Sequence, residues 1–286
     1  MKSSTKISYR GETTSLLTVT SAMSCMSFSL PAGDACPMAL YEADASGRKA
    51  ICGGCYAQIG RYGMDNVLSA QWIRFLWLKE LLATPAGTGV FVHTMVKAIN
   101  KDCTNGYFRW MDSGDLFSPD FIDAVANIVR LTPNVQHWIP TRSWRVFENA
   151  WATPTVNMLD VASPARWRDS FLKLLLLRNI AVRPSALYVG APAPQVLAFS
   201  AGSGVAESSE GDLPGPGTLC PKSVNGGSCE SNNCRSCWDK NGGAIYYLVH
   251  GWQGRKTLAD VNAGKLPARR AAIKNKFTAL TVGGRV

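Results

Sequence analysis

Apolar residues between positions 66 and 199 repeat with two periods, one near 3.6 and one suited to short strands. Asn66 to Leu82 is rich in Leu, Ile, Trp and Phe, with Arg74, Lys79 and Glu80 interspersed, which predicts a mostly buried helix. Phe91, Val92, Met95, Val96 and Ile99 keep the helical period and predict a second helix. Tyr107 to Met111 reads as a strand that runs into Asp112-Ser113-Gly114-Asp115. Ser118-Pro119-Asp120 then supplies an N-cap, a proline at the first helical position and an acidic first turn. Phe121, Ile122, Val125, Ile128 and Val129 share one face of the helix that follows, and Thr132-Pro133-Asn134 ends it. Val135 to Ile139 is the next strand and delivers Pro140-Thr141-Arg142-Ser143-Trp144 at its end. A helix around Arg166 to Leu177, strand-like Ile180 to Val182, and apolar runs at Ala186 to Val189 and Val196 to Phe199 continue the alternation.

Strands alternating with helices indicate an α/β protein with a parallel sheet, either open or a partial (βα) barrel. In both forms the C-terminal strand ends carry the sites, so Asp112 to Asp115 and Thr141 to Ser143 are expected on one rim. The Asp, Ser and Gly of the first group also suit a plain turn, and Arg142 also suits a solvated surface. The longest strongly apolar run, Leu172 to Leu177 broken by Lys173, is far short of the roughly 20 residues that span a bilayer. Met1 to Arg10 holds no apolar signal region, so the expected location is the cytoplasm and no membrane partner is expected. His93, His137 and His250 fall in no hydrolase motif, and mid-strand His137 is expected to be structural.

Composition narrows the picture. The 286 residues are 46% hydrophobic and 17% charged, which excludes disorder over most of the length and allows one large domain or a domain with an added module. The net charge of +10 is concentrated. Residues 251–286 hold Arg255, Lys256, Lys265, Arg269, Arg270, Lys274, Lys276 and Arg285 against Asp260 alone, a basic tail of +7 that would suit nucleic acid.

The nine cysteines are also grouped. Cys52-Gly53-Gly54-Cys55 puts two thiols one tight turn apart, and Cys36 precedes them, giving a three-thiolate set. Cys220, Cys229, Cys234 and Cys237 form a four-thiolate set in a Gly/Asn/Ser-rich segment that ends in a C-x-x-C pair. A reducing compartment disfavours disulfides, so thiolates gathered around metal are expected, with iron-sulfur and tetrahedral zinc both compatible. Three ligands are one short of a closed site, leaving a position for a distant residue or an incoming ligand. Cys25 and Cys103 are expected as small buried side chains, with a fourth ligand as the alternative role.

Phe28 to Pro37, Cys55-Tyr56-Ala57, Ser113-Gly114-Asp115 with Phe117-Ser118, and Thr141-Arg142-Ser143-Trp144 together resemble the phage Gene 88 protein family. The C-terminal Cys220-Pro221, Cys229 and Cys234 to Trp238 fit the same resemblance, which covers roughly residues 25–250 and implies a phage-encoded metal-binding protein. More distantly the chain resembles radical S-adenosylmethionine enzymes, although fifteen residues separate Cys36 from Cys52 where that family has three. That second resemblance implies a four-iron, four-sulfur cluster on Cys36, Cys52 and Cys55, with Tyr56 as a neighbouring aromatic. It implies Ser113, Gly114 and Asp115 on the methionine ammonium, Arg142 on its carboxylate, and an auxiliary cluster on the C-terminal set. An external electron donor is then a further expected partner. The alternative is a non-catalytic, metal-stabilised nucleic-acid-binding protein, with zinc as the alternative metal. The expected organisation is an α/β core over 1–205, a cysteine-rich metal-binding segment over 206–250 and the basic tail over 251–286.

Overall fold

The computed structural model describes residues 5–20, 22–58, 60–147, 163–196, 199–207, 212–248 and 275, so the basic tail lies outside the described residues apart from position 275. The chain opens with an antiparallel hairpin of β1 (Lys6–Tyr9) and β2 (Glu12–Ser15). Its turn, Arg10-Gly11, has φ of +46° and +83°, the left-handed pair that a two-residue hairpin requires. A second antiparallel pair follows, β3 (Thr18–Thr20) with β4 (Cys25–Phe28). After a long connection come α1 (Asp65–Leu82), α2 (Pro85–Asp102), β5 (Tyr107–Trp110), α3 (Pro119–Leu131), β6 (Gln136–Thr141), α4 (Pro164–Leu175) and β7 (Ile180–Pro184). Short elements complete the described chain: β8 (Ser203–Ala206), β9 (Thr218–Leu219), α5 (Pro221–Asn225) and β10 (Ile245–Leu248).

Three helices begin in the same way. Thr84, Ser118 and Ser163 each cap a helix whose first residue is proline, and their hydroxyls accept from the N–H of Gly87, Phe121 and Arg166 at 3.1, 3.2 and 3.3 Å. Proline there gives up no helical hydrogen bond, and the cap oxygen takes one of the N–H groups left free at the helix start.

The main sheet has the order β3-β4-β5-β6-β7, with β3 antiparallel to β4 and the other four strands parallel in chain order. It is therefore a mixed sheet, and among the described residues it does not close into a barrel. A smaller parallel sheet, β8-β10-β9, adjoins it through one parallel bridge, Ser185 to Ser203, so its strands run in the direction of β7. The apolar run at 186–189 forms no strand, and that at 196–199 is only partly described. The first lies in the connection after β7, where its backbone pairs with another loop, and Leu197 and Ala198 of the second are outside the described residues.

Strand alternation divides the sheet into two buried faces. Phe28, Phe108, Trp110, Ile139 and Val182 point into the helices, against Phe91, Phe121, Trp167 and Phe171. His137 lies on this side, fully buried. It accepts the indole N–H of Trp110 at Nδ1 over 3.1 Å, so the ring proton sits on Nε2 and faces Thr132 Oγ1 at 2.9 Å. Burial pushes its pKa down to about 3, and a neutral structural histidine results. On the other face Cys25, Trp138 and Ala181 meet Cys220, Cys237, Trp238 and Ile245, so the cysteine-rich segment covers the side of the sheet away from the helices.

Arg183 of β7 fastens that segment. Fully buried, it donates from all five N–H groups to backbone carbonyls: Nε to Cys237 at 3.1 Å, Nη1 to Ala201 and Gly243 at 2.6 and 3.0 Å, Nη2 to Ser236 and Asp239 at 2.8 and 2.7 Å. Arg183→Met would leave those carbonyls without their donor and is expected to cost about 3 kcal/mol or more. Denaturant unfolding and limited proteolysis check this, with early cleavage between residues 222 and 240 as the expected local sign.

Candidate metal centre at the strand ends

The loops after β4, β5, β6 and β7 meet at the C-terminal end of the sheet. Asp115 joins them. Its Oδ1 accepts from Thr141 Oγ1 and from Leu116 N, both at 2.7 Å, its Oδ2 accepts from Arg142 N at 2.9 Å, and its own N–H donates to Ala35 O at 2.8 Å. Burial raises its pKa against the opposing effect of these donors. Gly114 before it has φ +85°, and a Cβ there would lie 2.8 Å from Leu30 Cβ, so glycine satisfies both the turn and the close approach. Leu30 N donates to Ser113 O at 2.9 Å, while Ser113 Oγ is buried without a hydrogen-bond partner among the described residues. The two groups expected on one rim, Asp112 to Asp115 and Thr141 to Ser143, are thus directly bonded.

The three N-terminal cysteines gather beside them. Cys36 follows a turn in which Gly33 N donates to its Sγ at 3.4 Å. Cys52 sits in the single 3-10 turn Ile51–Gly54, and Cys55 N donates to Cys52 O at 3.3 Å. Backbone bonds carry this turn to the rim: Ile51 N to Leu187 O at 2.9 Å and Val189 N to Lys49 O at 3.0 Å. The Cys36 thiol is pushed well above its ordinary pKa, first by burial and then by Asp115, Cys55 and Cys52. Arg142 lies among the same groups. Burial alone would lower its pKa, but Cys52, Cys55, Asp115 and Cys36 outweigh that and raise it. Its Nε donates to Ala186 O at 3.2 Å, and among the described residues its terminal nitrogens have no hydrogen-bond acceptor.

Tyr56, next in chain to Cys55, leads from the rim to the sheet. Its ring is partly exposed, its hydroxyl donates to Asp112 O at 2.8 Å, and Arg109 Nη2 donates to that hydroxyl at 2.9 Å. Arg109 also pairs with Asp112 at 2.7 Å and lies 4.9 Å over the Trp138 ring, while Tyr62 donates to the Asp112 carboxylate. The sequence reading did not select Arg109 or Tyr62. The available signal was a charge inside the short strand Tyr-Phe-Arg-Trp, which is rare at a buried position without a partner.

The C-terminal cysteines form a second set over the sheet face away from the helices. Cys229 N donates to Ala22 O, just before β4, and Cys234 N donates to Cys229 O, both at 2.9 Å. Cys237 Sγ lies 3.2 Å from Tyr247 Oη, and its pKa is pushed up to about 12 by burial, with Cys220 and Cys229 adding to the rise. Burial also raises Cys229, with Cys220, Cys234 and Cys25 adding to the effect. Cys25 and Cys103 are both buried, and all nine cysteines are free thiols. Among the described residues, no three Cys, His, Asp or Glu side chains lie close enough together to hold one metal ion.

These features define an open α/β sheet with three thiols beside the rim loops and four in the segment that covers the face away from the helices. The family model described as gene product 88 matches residues 2–240, and the chain belongs to this phage protein family. No curated protein and no solved structure matches it. No described helix is long and apolar enough to cross a membrane.

Asp115→Ala would strip one acceptor group from three donors and is expected to lower stability by about 2–4 kcal/mol. Hydrogen exchange should show faster exchange at Leu116 and Arg142, while the amides of α3 keep their protection.

Proposed function

We propose that this phage protein carries iron-sulfur clusters on its two cysteine sets and that the site of Cys36, Cys52 and Cys55 binds S-adenosylmethionine for radical chemistry. The convergence of these three thiols around Arg142 carries the reading. An all-thiol donor set suits zinc or iron-sulfur rather than hard cations. Around a single tetrahedral zinc, with bonds of about 2.3 Å, sulfurs would stand only about 3.8 Å apart. Cys52 and Cys55 both raise the Cys36 pKa, so the three thiols share one locality, and on a four-iron cluster each would take a different iron. When bound, a cluster on three cysteines supplies an iron open to the methionine group and an electron for sulfonium cleavage.

The surrounding residues fit a bound, charged ligand. Arg142 offers unused donors in the paired geometry that suits a carboxylate. Asp115 already holds three donors, so its main contribution is to fix the backbone of Arg142. Ser113 brings an unpartnered hydroxyl to the same loop, Gly114 allows that loop to pack on Leu30, and the exposed Tyr56 ring supplies an apolar wall.

Anaerobic purification and metal analysis test the reading. About four iron and matching acid-labile sulfide per cluster are expected, with one cluster lost in Cys36→Ser and the other in Cys237→Ser. S-adenosylmethionine should perturb the electron paramagnetic resonance signal of the first cluster only. Zinc without sulfide would overturn the reading. Because the Cys36, Cys229 and Cys237 thiols have raised pKa values, loading must displace protons and should weaken as pH falls.

One observation favours nucleic acid as a partner. In β10, Tyr246 and Tyr247 lie beside Cys220 and Cys237, and Leu248 leads from them into the +7 tail. Binding of single-stranded oligonucleotides should fall steeply with salt and lose most of its salt dependence when residues 251–286 are deleted. Salt-insensitive binding, or unchanged binding after the deletion, would remove this partner.

A further inference from the structure

The outer side of the helix layer, away from the sheet, carries two apolar patches. The first is a groove of about 660 Å³ between α2 and α3, lined by Gly89, Val92, His93, Val96, Arg130 and Leu131 among others. Leu131 keeps 52% of its surface exposed, and Val90 beside the groove keeps 53%. Thr88, also in the lining, spends its hydroxyl on Thr84 O at 3.0 Å, within its own helix. A Cβ at Gly89 would meet nothing within 4 Å, so no contact inside the described chain requires glycine there, although glycine weakens a helix interior. The second patch is a stripe on α4. Asp169, Leu172 and the C-cap residue Leu176 follow one another at steps of three and four residues, which places them on one helix face. All three are exposed, Leu172 by 46% and Leu176 by 81%.

The two patches are complementary in charge as well as in shape. The groove lining holds Arg130 and His93 and no carboxylate. Arg130 Nη2 donates to Asn127 Oδ1 at 2.7 Å, and among the described residues Arg130 has no ion pair. Asp169 likewise makes no ion pair among the described residues. Between the patches lies α3, which packs on α2 at one side and on α4 at the other. Because α3 and α4 each cross between neighbouring parallel strands, they run in the same direction. Arg166 pairs with Asp120 and Asp123 at 2.7 and 2.8 Å and Lys173 with Asp123 at 3.1 Å, so the two helices lie alongside one another, start beside start. The leucines that end α4 and the groove beside the end of α3 therefore stand at one height, on either side of α3. The ridge between them carries two carboxylates against two cations, so a like surface can approach it without net repulsion.

We propose that the chain forms a two-fold dimer in which Leu172 and Leu176 of each copy fill the α2–α3 groove of the other, with Asp169 paired to Arg130 at the groove edge. A two-fold axis along α3 carries each patch onto the other, so a single rotation makes both contacts and closes the assembly at two copies. The occupant is a second copy because one surface supplies both halves of the contact: an apolar groove with an unpaired cation, and an apolar stripe with an unpaired carboxylate. The bare backbone at Gly89 lets a leucine of the other copy approach α2 closely. Exposed apolar patches of this kind mark interaction sites. The contact involves no cysteine and no metal, so it stands or falls separately from the iron-sulfur reading.

Sedimentation equilibrium of the full-length chain over a range of concentrations tests this, with reductant and chelator present so that neither disulfides nor metal can join two copies. A reversible monomer–dimer equilibrium is expected. Leu176→Asp and Gly89→Leu should each weaken it by roughly tenfold or more, since one spoils the stripe and the other fills the groove. Both positions face open space, and an unchanged near-ultraviolet circular dichroism spectrum checks that the variants remain folded. Mixing the two variants gives the sharpest reading. A dimer of either variant alone has both contacts spoiled, whereas the mixed dimer keeps one contact intact, so the mixture should associate more tightly than either variant. Asp169→Arg should also weaken the dimer, and adding Arg130→Asp to the same chain should restore it. A chain that stays monomeric at every concentration, a dimer that Leu176→Asp leaves unchanged, or a mixture no tighter than its components would overturn the proposal.

Discussion

Arg183 is the contact on which the two halves of this protein depend. A guanidinium with no carboxylate partner is expensive to bury, and it is tolerated here because all five donors reach carbonyls. Those carbonyls belong to the residues around the last two cysteines and to the loops beside β8 and β10. One side chain of a central strand therefore sets the backbone path of a segment that has little regular structure of its own. Trp238 adds a second anchor through Phe108 O, and together they keep the cysteine-rich segment seated on the sheet.

At the loops beyond the same strand ends the same principle works with the charge reversed. Asp115 is a buried carboxylate that gathers donors from two loops, and Gly114 lets its loop lie against Leu30. Between the two anchors lies a face that is neither fully apolar nor wet: Arg109, Asp112, Tyr56 and Tyr62 compensate one another, and Trp138 and Trp238 fill the remainder. Burial raises the pKa of thiols in both sets, Cys36 at the rim and Cys229 and Cys237 in the C-terminal segment, which keeps them protonated near neutral pH.

Much of this was legible in the sequence where a periodic pattern coincided with a local stop or start signal. The helices near 119–131 and 166–177 have apolar faces and start behind a capping serine and a proline, the helix near 66–82 shows by its apolar content alone, and the structure places all three within a few residues of those limits. The strand β4 was not legible, because Cys-Met-Ser-Phe is short and one of its two faces is polar: Ser27 is fully buried by bonding with Thr18. The strands β8 to β10 are two to four residues long and carry no usable alternation. The run at 186–189 was legible as apolar but misleading as a strand, since its role is to offer backbone groups to the turn that holds Cys52. The cysteines announced themselves by spacing, yet their gathering around Arg142 depends on loop pairings that no local pattern encodes. Arg183 and Arg109 were visible only as charges in strands: the acceptors of Arg183 are distant in the chain, and so is Tyr56 from Arg109, although Asp112 is only three residues from it.

The strand alternation also bears on how such a chain can change over generations. In β5, Phe108 and Trp110 serve the helical core while Tyr107 and Arg109 serve the opposite face, so inserting or deleting one residue there would exchange the two sets at once. A point substitution in that strand disturbs one face, whereas a shift in length disturbs both. The connection between Cys36 and Cys52 is under no such restriction. Its two ends are pinned, at Ala35 by Asp115 and at Lys49 and Ile51 by the loop after β7, while Asp44 closes the middle on Arg48 as a separate exposed turn. Sequence drift in this lineage should therefore accumulate as changes of loop length between the first two thiols, with the strands that set the distance between the two cysteine groups holding a constant length.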